Sequence, residues 1–465
     1  MCPLLEGAMS FKEVLREKVH ELKGEALDAY AAELERRGLG FDADGELLSL
    51  PDSSYPGYAL EYIQAERDAY RRFTQSLDEL VTRFEGYYEL SPHPFTVMRD
   101  KLGGRHEDEG HSWTPYGKVH RAADQWVGDV KVMIDWEDWA GDGAAAFLLT
   151  FIAPFETAAA QQMACLRELT VITESYRQAA LKGQKDLINI ARLGIAAFAA
   201  INPTSANTDP AAPGWGNTFS LFSIVLSAVG LTIATGGADI VIGGTSLAFS
   251  TVSTLMSVTE ETDPGQMVVT GATAQDVVLS TWDALTEFDR RLADNDDVIR
   301  GALDTDLNST TCYASPTLAR EPNPGITIGD DTFRTMSVQS VPGTPIGRDK
   351  VVVSIMELYR AGYVDLPNAA DLYQQARDVL YQLEIPFDQT FLAPTSYPLF
   401  NTARDRLRDV FTYVENDLRY VATALIEAAD CYHLTDEQGA EVIRQKDLLV
   451  PPAGPHVPGI VSGIS

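Results

Sequence analysis

From about Phe400 to Gln445 the chain repeats apolar residues at alternating steps of four and three: Leu407, Phe411, Val414, Leu418, Val421, Leu425, Ala428 and Tyr432. A helix with that spacing carries a heptad seam along one side. Such a seam must be covered, either by another helix of the same chain or by a second copy. The expected fold is therefore all-α: an elongated antiparallel helical bundle, with the last helix as its most regular member.

Other stretches show the same helical period. Residues 11 to 37 place Phe11, Leu15, Val19, Leu22, Ala26 and Tyr30 at three- and four-residue steps, and Ile63, Tyr70, Phe73, Leu77, Leu80 and Phe84 form one stripe between Tyr58 and Glu85. Helices are also predicted over Val119–Ile134, from Ala144 to Leu181 and on to Ile201, over Gly271–Leu307, Lys350–Ala361 and Ala369–Leu383. Gly38–Pro51 reads as a polar break and Leu90–Pro115 as a Pro/Gly/His-rich linker. The domain map expected is 1–110, an N-terminal helical region; 111–201, a helical hairpin; 217–307, an apolar hairpin plus a helix; 308–349, a loop or small β insertion; 350–447, a C-terminal helical region; and 448–465, a mobile tail.

Between Asp209 and Glu260 the only charged residue is Asp239. Thr218–Gly236, with Phe219, Leu221, Phe222, Ile224, Val225 and Leu226, is apolar and long enough to span a bilayer. Ile240–Val258 is expected to return, with Asp239 at the tip. Two readings follow: a membrane-entering helical hairpin, or a hairpin buried in a large bundle through its small residues.

Charge narrows the partners. With 67 acidic against 36 basic residues the net charge is −31, which repels nucleic acid, so no nucleic-acid partner is expected. Four scattered cysteines form no CxxC pair. His106 and His111, with the carboxylates between them, lack a second ligand pair, and Asp42-Ala-Asp44 lacks the later ligands of a calcium loop, so no metal and no cofactor are expected. No nucleophile elbow, zinc-protease helix or phosphate loop stands in a supporting context, and the expectation is a protein that is not an enzyme. The N-terminus lacks a basic stretch followed by an apolar one, so no cleaved secretory signal is expected.

One break carries a motif. Asp135-Trp-Glu-Asp-Trp139-Ala-Gly141-Asp-Gly143 separates two helical stretches and runs into Ala144, Ala145 and Phe147. Two glycines allow the chain to reverse at positive φ, and the Trp139 indole is large enough to cover the seam between the helices. With Trp139, Gly141, the small residues and Phe147, this turn resembles the WXG100 family of helical hairpins exported by type VII secretion. The resemblance covers roughly residues 116–200 and 400–445; the chain is several times the length of a family member.

The family also carries a Tyr-x-x-x-Asp/Glu signal after its hairpin, and Tyr432…Asp436 matches it near the end of the last helix. Residues four apart share one helix face, so the pair forms a compact patch. Tyr62…Glu66 and Tyr413…Asp417 have the same spacing. The resemblance implies a protein that is cytoplasmic before export, then secreted or in the envelope, with Trp139, Gly141, Tyr432 and Asp436 read by the secretion ATPase or a chaperone. It also implies that the last helix lies along the hairpin and brings Tyr432 near Trp139. The alternatives from the residues alone are a pore-forming protein using the 218–258 hairpin and a cytoplasmic homo-oligomeric scaffold.

Overall fold

A computed structural model describes residues 10–41, 46–49, 60–103, 113–135, 139–140, 142–201, 219–220, 239–242, 245–248, 266–267, 269–310, 312–313, 352–384 and 392–434. Of these, 86 % are helical, so the protein is all-α with minor strand pairing. The helices are α1 (Phe11–Arg36), α2 (Leu60–Glu85), α3 (His93–Leu102), α4 (Pro115–Arg121), α5 (Gly128–Asp135), α6 (Asp142–Phe147), α7 (Ala153–Ile201), α8 (Ala274–Asn308), α9 (Ile355–Arg360), α10 (Leu366–Tyr381) and α11 (Tyr397–Leu434). Three π-helical turns join neighbours into continuous rods: Ala122–Val127 links α4 to α5, Leu148–Ile152 links α6 to α7, and Ala361–Asp365 links α9 to α10.

Local chemistry sets several helix starts. Ser10 caps α1 and Thr273 caps α8, each reciprocated by the acid three residues on, Glu13 and Asp276. Pro115 opens α4, where its missing N–H costs nothing, and the Thr114 hydroxyl accepts from the Gly117 amide at 3.0 Å. Gly103 ends α3 at φ 72°, and a Cβ there would sit 2.7 Å from Thr114 Oγ1, so only glycine fits this corner.

The rod from Asp142 to Ile201 is about 90 Å long at roughly 1.5 Å per residue. Its middle is the pillar of the molecule. Nearly every residue from Ala158 to Tyr176 is buried, and α1, α3, α4, α8 and α11 all touch α7. Thr170, Thr173 and Ser175 are tolerated there because each hydroxyl returns to the carbonyl four residues back. One hydrophobic core runs from Leu15 in α1 to Ala429 in α11.

Contacts along the rods give directions. α8 opposes α7, with Phe288 at Gly183 and Thr281 at Gly194. α1 instead runs with the end of α7, since Leu22 meets Gly194 and Arg36 reaches the Ile201 carbonyl. The expectation of a uniformly antiparallel bundle is corrected for this pair. α10 and α11 are antiparallel: Arg377 pairs with Glu415 at 2.7 Å and Arg419 with Asp371 at 2.8 Å. The heptad seam of α11 is buried at Leu407, Phe411, Val414, Leu418, Val421 and Leu425, and the element most extensively packed on α11 is α10. Its partner is thus in the same chain, and a second copy is not required to bury it. A Cβ on Gly362 would lie 2.8 Å from the Ala422 carbonyl, so the rods touch backbone to backbone there.

Several sequence expectations change. The linker of 90–115 contains α3. The break after α1 holds a short antiparallel ladder, β1 (Leu39–Phe41) with β2 (Leu47–Ser49). The interruption expected between 361 and 369 is a continuous rod; the π turn precedes Pro367, whose ring would clash with the carbonyl four residues back in a regular helix. The described parts of the 218–258 region are strands rather than a helical hairpin. β4 (Phe219–Ser220) pairs with β7 (Gln266–Met267), and β5 (Asp239–Ile242) pairs with β6 (Thr245–Ala248). Ile240-Val241-Ile242 is β-branched, and Gly243-Gly244, a residue pair favoured in two-residue hairpins, lies between Ile242 and its partner Thr245. Leu221, Phe222, Ile224, Val225 and Leu226 lie outside the described residues, as do most of 308–349 and all of 448–465. Among the described residues one helical run, Gly143–Ile201, is long and apolar enough to cross a bilayer by length and composition. Cys165 and Cys312 are buried thiols that are not joined in a disulfide.

Burial also sets a pH response. The carboxyl of Asp186 in α7 is pushed by burial up to about 7, against the pull of Arg291, Lys182 and Lys185, and that of Asp365 is pushed by burial up to about 6. Both bind a proton more readily folded than unfolded, so their contribution is full below the ordinary carboxylate range and is lost as pH rises through about 6 to 7. Glu287, held down to about 2 by Arg290, and Glu174, lowered by Arg177, Gln178 and Arg99 against the effect of its own burial, act oppositely: their contribution is lost as pH falls below the ordinary range. The protein is expected to be most stable near pH ~5 and to lose stability toward pH ~8. Asp186→Asn should raise stability at pH ~8 by about 2–4 kcal/mol and flatten that limb. Urea unfolding at several pH values checks this; a wild-type midpoint that does not move between the two would contradict it.

Candidate functional site at the Trp139 turn

The first arm of the turn is the α4–π–α5 rod and the second is the α6–π–α7 rod. Between them Trp139-Ala140 forms a two-residue strand, β3, and its partner comes from far along the chain. β3 pairs antiparallel with β8 (Val352–Val353), Trp139 opposite Val353 and Ala140 opposite Val352. The helix predicted from Lys350 therefore starts only at Ile355.

Trp139 is 3 % exposed and its indole lies 5.3 Å from the Phe147 ring. From there an aromatic run continues down the second arm at four-residue steps. Phe147 stacks on Phe151 at 5.0 Å, and Phe151 on Phe155 at 6.0 Å. Phe155 meets Tyr373 of α10 edge-on at 6.1 Å, and Tyr373 meets Phe411 of α11 at 5.5 Å. The Tyr373 hydroxyl, fully buried, donates to Gln162 Oε1 at 2.8 Å. The motif tryptophan and the heptad seam are thus the two ends of one line of rings.

Burial assigns Trp139 a packing role in this state, because its face is occupied by protein. Gly141 lies outside the described residues. Gly143 is helical and is not among the described glycines at positive φ, which are Gly38 and Gly103. The expectation that both glycines reverse the chain is corrected at Gly143.

Helix α9, which follows β8 directly, reaches two other elements. The Tyr359 hydroxyl donates to Asp430 Oδ1 near the end of α11, and Arg360 lies 3.5 Å from Asp129 of α5. One short helix thereby links the first arm of the turn, the strand paired with Trp139 and the last turns of α11. The backbone of Tyr432, two residues beyond Asp430, is still helical. Asp436 lies outside the described residues.

The two other Tyr-x-x-x-acid matches do not present both groups. Glu66 is paired with Arg37 at 3.2 Å. Tyr413 is 58 % exposed but Asp417 is 7 % exposed, so the pair offers a ring without its carboxylate. Among the described residues no group of three or more His, Cys, Asp or Glu is placed to hold a metal ion. Neither the β3–β8 pairing nor the Tyr359–Asp430 contact is marked by a motif in the sequence. Val351-Val352-Val353 is a β-branched run, the only local signal for a strand there.

Comparison of the chain with protein-family models, curated proteins and solved structures found no match. The resemblance to WXG100 proteins rests on the residues named above.

Proposed function

We propose that this is a non-enzymatic helical protein exported by a type VII secretion system, cytoplasmic before export and acting in the envelope or outside the cell. The observation that carries the reading is the Trp139 turn: a tryptophan at a helix–helix reversal, packed at a tilt against the phenylalanine eight residues on. In this reading Trp139 shapes the turn rather than touching the export machinery, because its indole is covered. The group read by the secretion ATPase, or by a chaperone that delivers the protein to it, is the Tyr432…Asp436 signal, whose tyrosine lies in the last turn of α11. Gly141 serves the turn.

Export from a strain with the ATPase, and retention in its absence, is the expected result. Tyr432→Ala is expected to lower export about tenfold or more, the loss of a contact worth roughly 1.4 kcal/mol or above. Tyr413→Ala, at an exposed ring in the wrong setting, serves as the control and should leave export unchanged. Export of Tyr432→Ala at the wild-type level would reject the signal; export without the ATPase would reject the route.

A further inference from the structure

Arg360 is shared by three carboxylates. Its guanidinium lies 3.5 Å from Asp129 on α5, 3.7 Å from Glu357 on its own helix and 3.6 Å from Asp365 in the π turn. Asp129 is the only one of the three that belongs to the hairpin arm; the other two sit on the α9 side of the junction. Asp365 is 3 % exposed, and its Oδ1 has no hydrogen-bond partner. Three negative groups around one cation leave the junction short of positive charge whenever all three are ionised.

We propose that Asp129, Arg360 and Asp365 form a proton-operated latch between the first arm of the Trp139 turn and the rod that follows its partner strand. The exchange is a single proton on the Asp365 carboxyl. With the proton on, Asp365 does not compete, and Arg360 serves Asp129 across the junction. With the proton off, the buried carboxylate of Asp365 draws the same guanidinium to its own side and adds a like charge facing Asp129. The cross-junction pair weakens, and the β3–β8 ladder, which joins the other ends of the same two segments, opens more often. The groups that face Asp365 electrostatically are Arg360, Asp129 and Glu357, and burial holds its carboxyl protonated up to about pH 6. The latch therefore closes on acidification and loosens near neutrality.

Hydrogen exchange of the full chain, corrected for the intrinsic rate at each pH, tests it. Segments 128–140 and 352–365 are expected to lose about threefold or more protection between pH ~5 and pH ~7.5, relative to α2. Asp365→Asn should hold these segments at their acid-side protection at both pH values. Asp129→Asn removes the cross-junction partner, so protection in 128–140 should be low and independent of pH. A wild-type protein without the pH difference overturns the latch. So does an unchanged pH difference in Asp365→Asn or, should that variant not fold, in Asp129→Asn.

Discussion

Trp139→Ala is expected to destabilise the protein by about 3–5 kcal/mol, the range for removing a buried large aromatic side chain. Trp139 is 3 % exposed and heads the run through Phe147, Phe151 and Phe155 to Tyr373 and Phe411. Truncation removes the indole's own contacts and leaves the first ring of that run with an empty side, at a place where two helical rods and a strand are already fixed. The cavity cannot collapse without moving one of them. Trp139→Phe keeps a ring and should cost about 1–2 kcal/mol. Denaturant unfolding measures both, and faster amide exchange at Val352 and Val353 in the alanine variant would locate the damage at the ladder. A loss below about 1 kcal/mol would mean that the indole is not a structural plug. Direct contact between Trp139 and the proposed export machinery would then account better for the motif.

Asp296→Ala should be similarly damaging, at about 3–5 kcal/mol, through a different mechanism. Asp296 of α8 is buried, and both of its oxygens are used where α11 begins. Oδ2 accepts from the Thr395 amide at 2.7 Å and from the Thr395 hydroxyl; Oδ1 accepts from the Ser396 amide at 3.0 Å and from the Ser396 hydroxyl. Ser396 Oγ is also 2.6 Å from the hydroxyl of Tyr176 on α7. A carboxylate from one helix thus caps the start of another, where exposed N–H groups and the helix dipole favour negative charge. Its removal leaves the amide and hydroxyl of the buried Ser396 without this acceptor in a dry place, and those of the exposed Thr395 to water. Ser396→Ala removes one hydroxyl only and should cost about 1 kcal/mol. Equal unfolding midpoints for Asp296→Ala and Ser396→Ala would show that the carboxylate is not the keystone of this contact.

Helices were legible wherever a face stayed apolar for several turns. The stripe ending at Phe84, the run ending at Ile201 and the span from Gly271 to Leu307 all correspond to observed helices, because burial of one side imposes a 3.6-residue period on the sequence. The seam of α11 was legible as a seam, but its partner was not. α10 carries the same steps of three and four at Leu366, Ala369, Tyr373, Ala376 and Leu380, all buried, but the pattern is short, two of its five positions are alanine, and its first residue stands beside Pro367 in what reads as a break. Two-residue strands such as Trp139-Ala140 have no period at all, so β3 and β8 could not be paired from sequence. The Asp296 cap joins residues a hundred positions apart and looks, in sequence, like one acid among many. At the candidate site, Trp139 and Phe147 were legible through a motif. The covering of Trp139 by the packed core was not, because a motif carries no information on which faces remain open.

The antiparallel pairing of α10 and α11 has a mechanical side. The end of α11 lies beside α9, which emerges from the strand anchored at Trp139. A pull on the chain beyond Leu434, resisted at that strand, would not shear the two rods along their length. It would peel them apart like a zip, loading Tyr359–Asp430 first, then Gly362 against Ala422, then Asp371–Arg419 and Glu415–Arg377 in turn. Each row meets the force alone, and the last to feel it is the clasp of Asp296 on Thr395 and Ser396. A helical protein so arranged yields progressively from its C-terminal side while its central pillar stays intact.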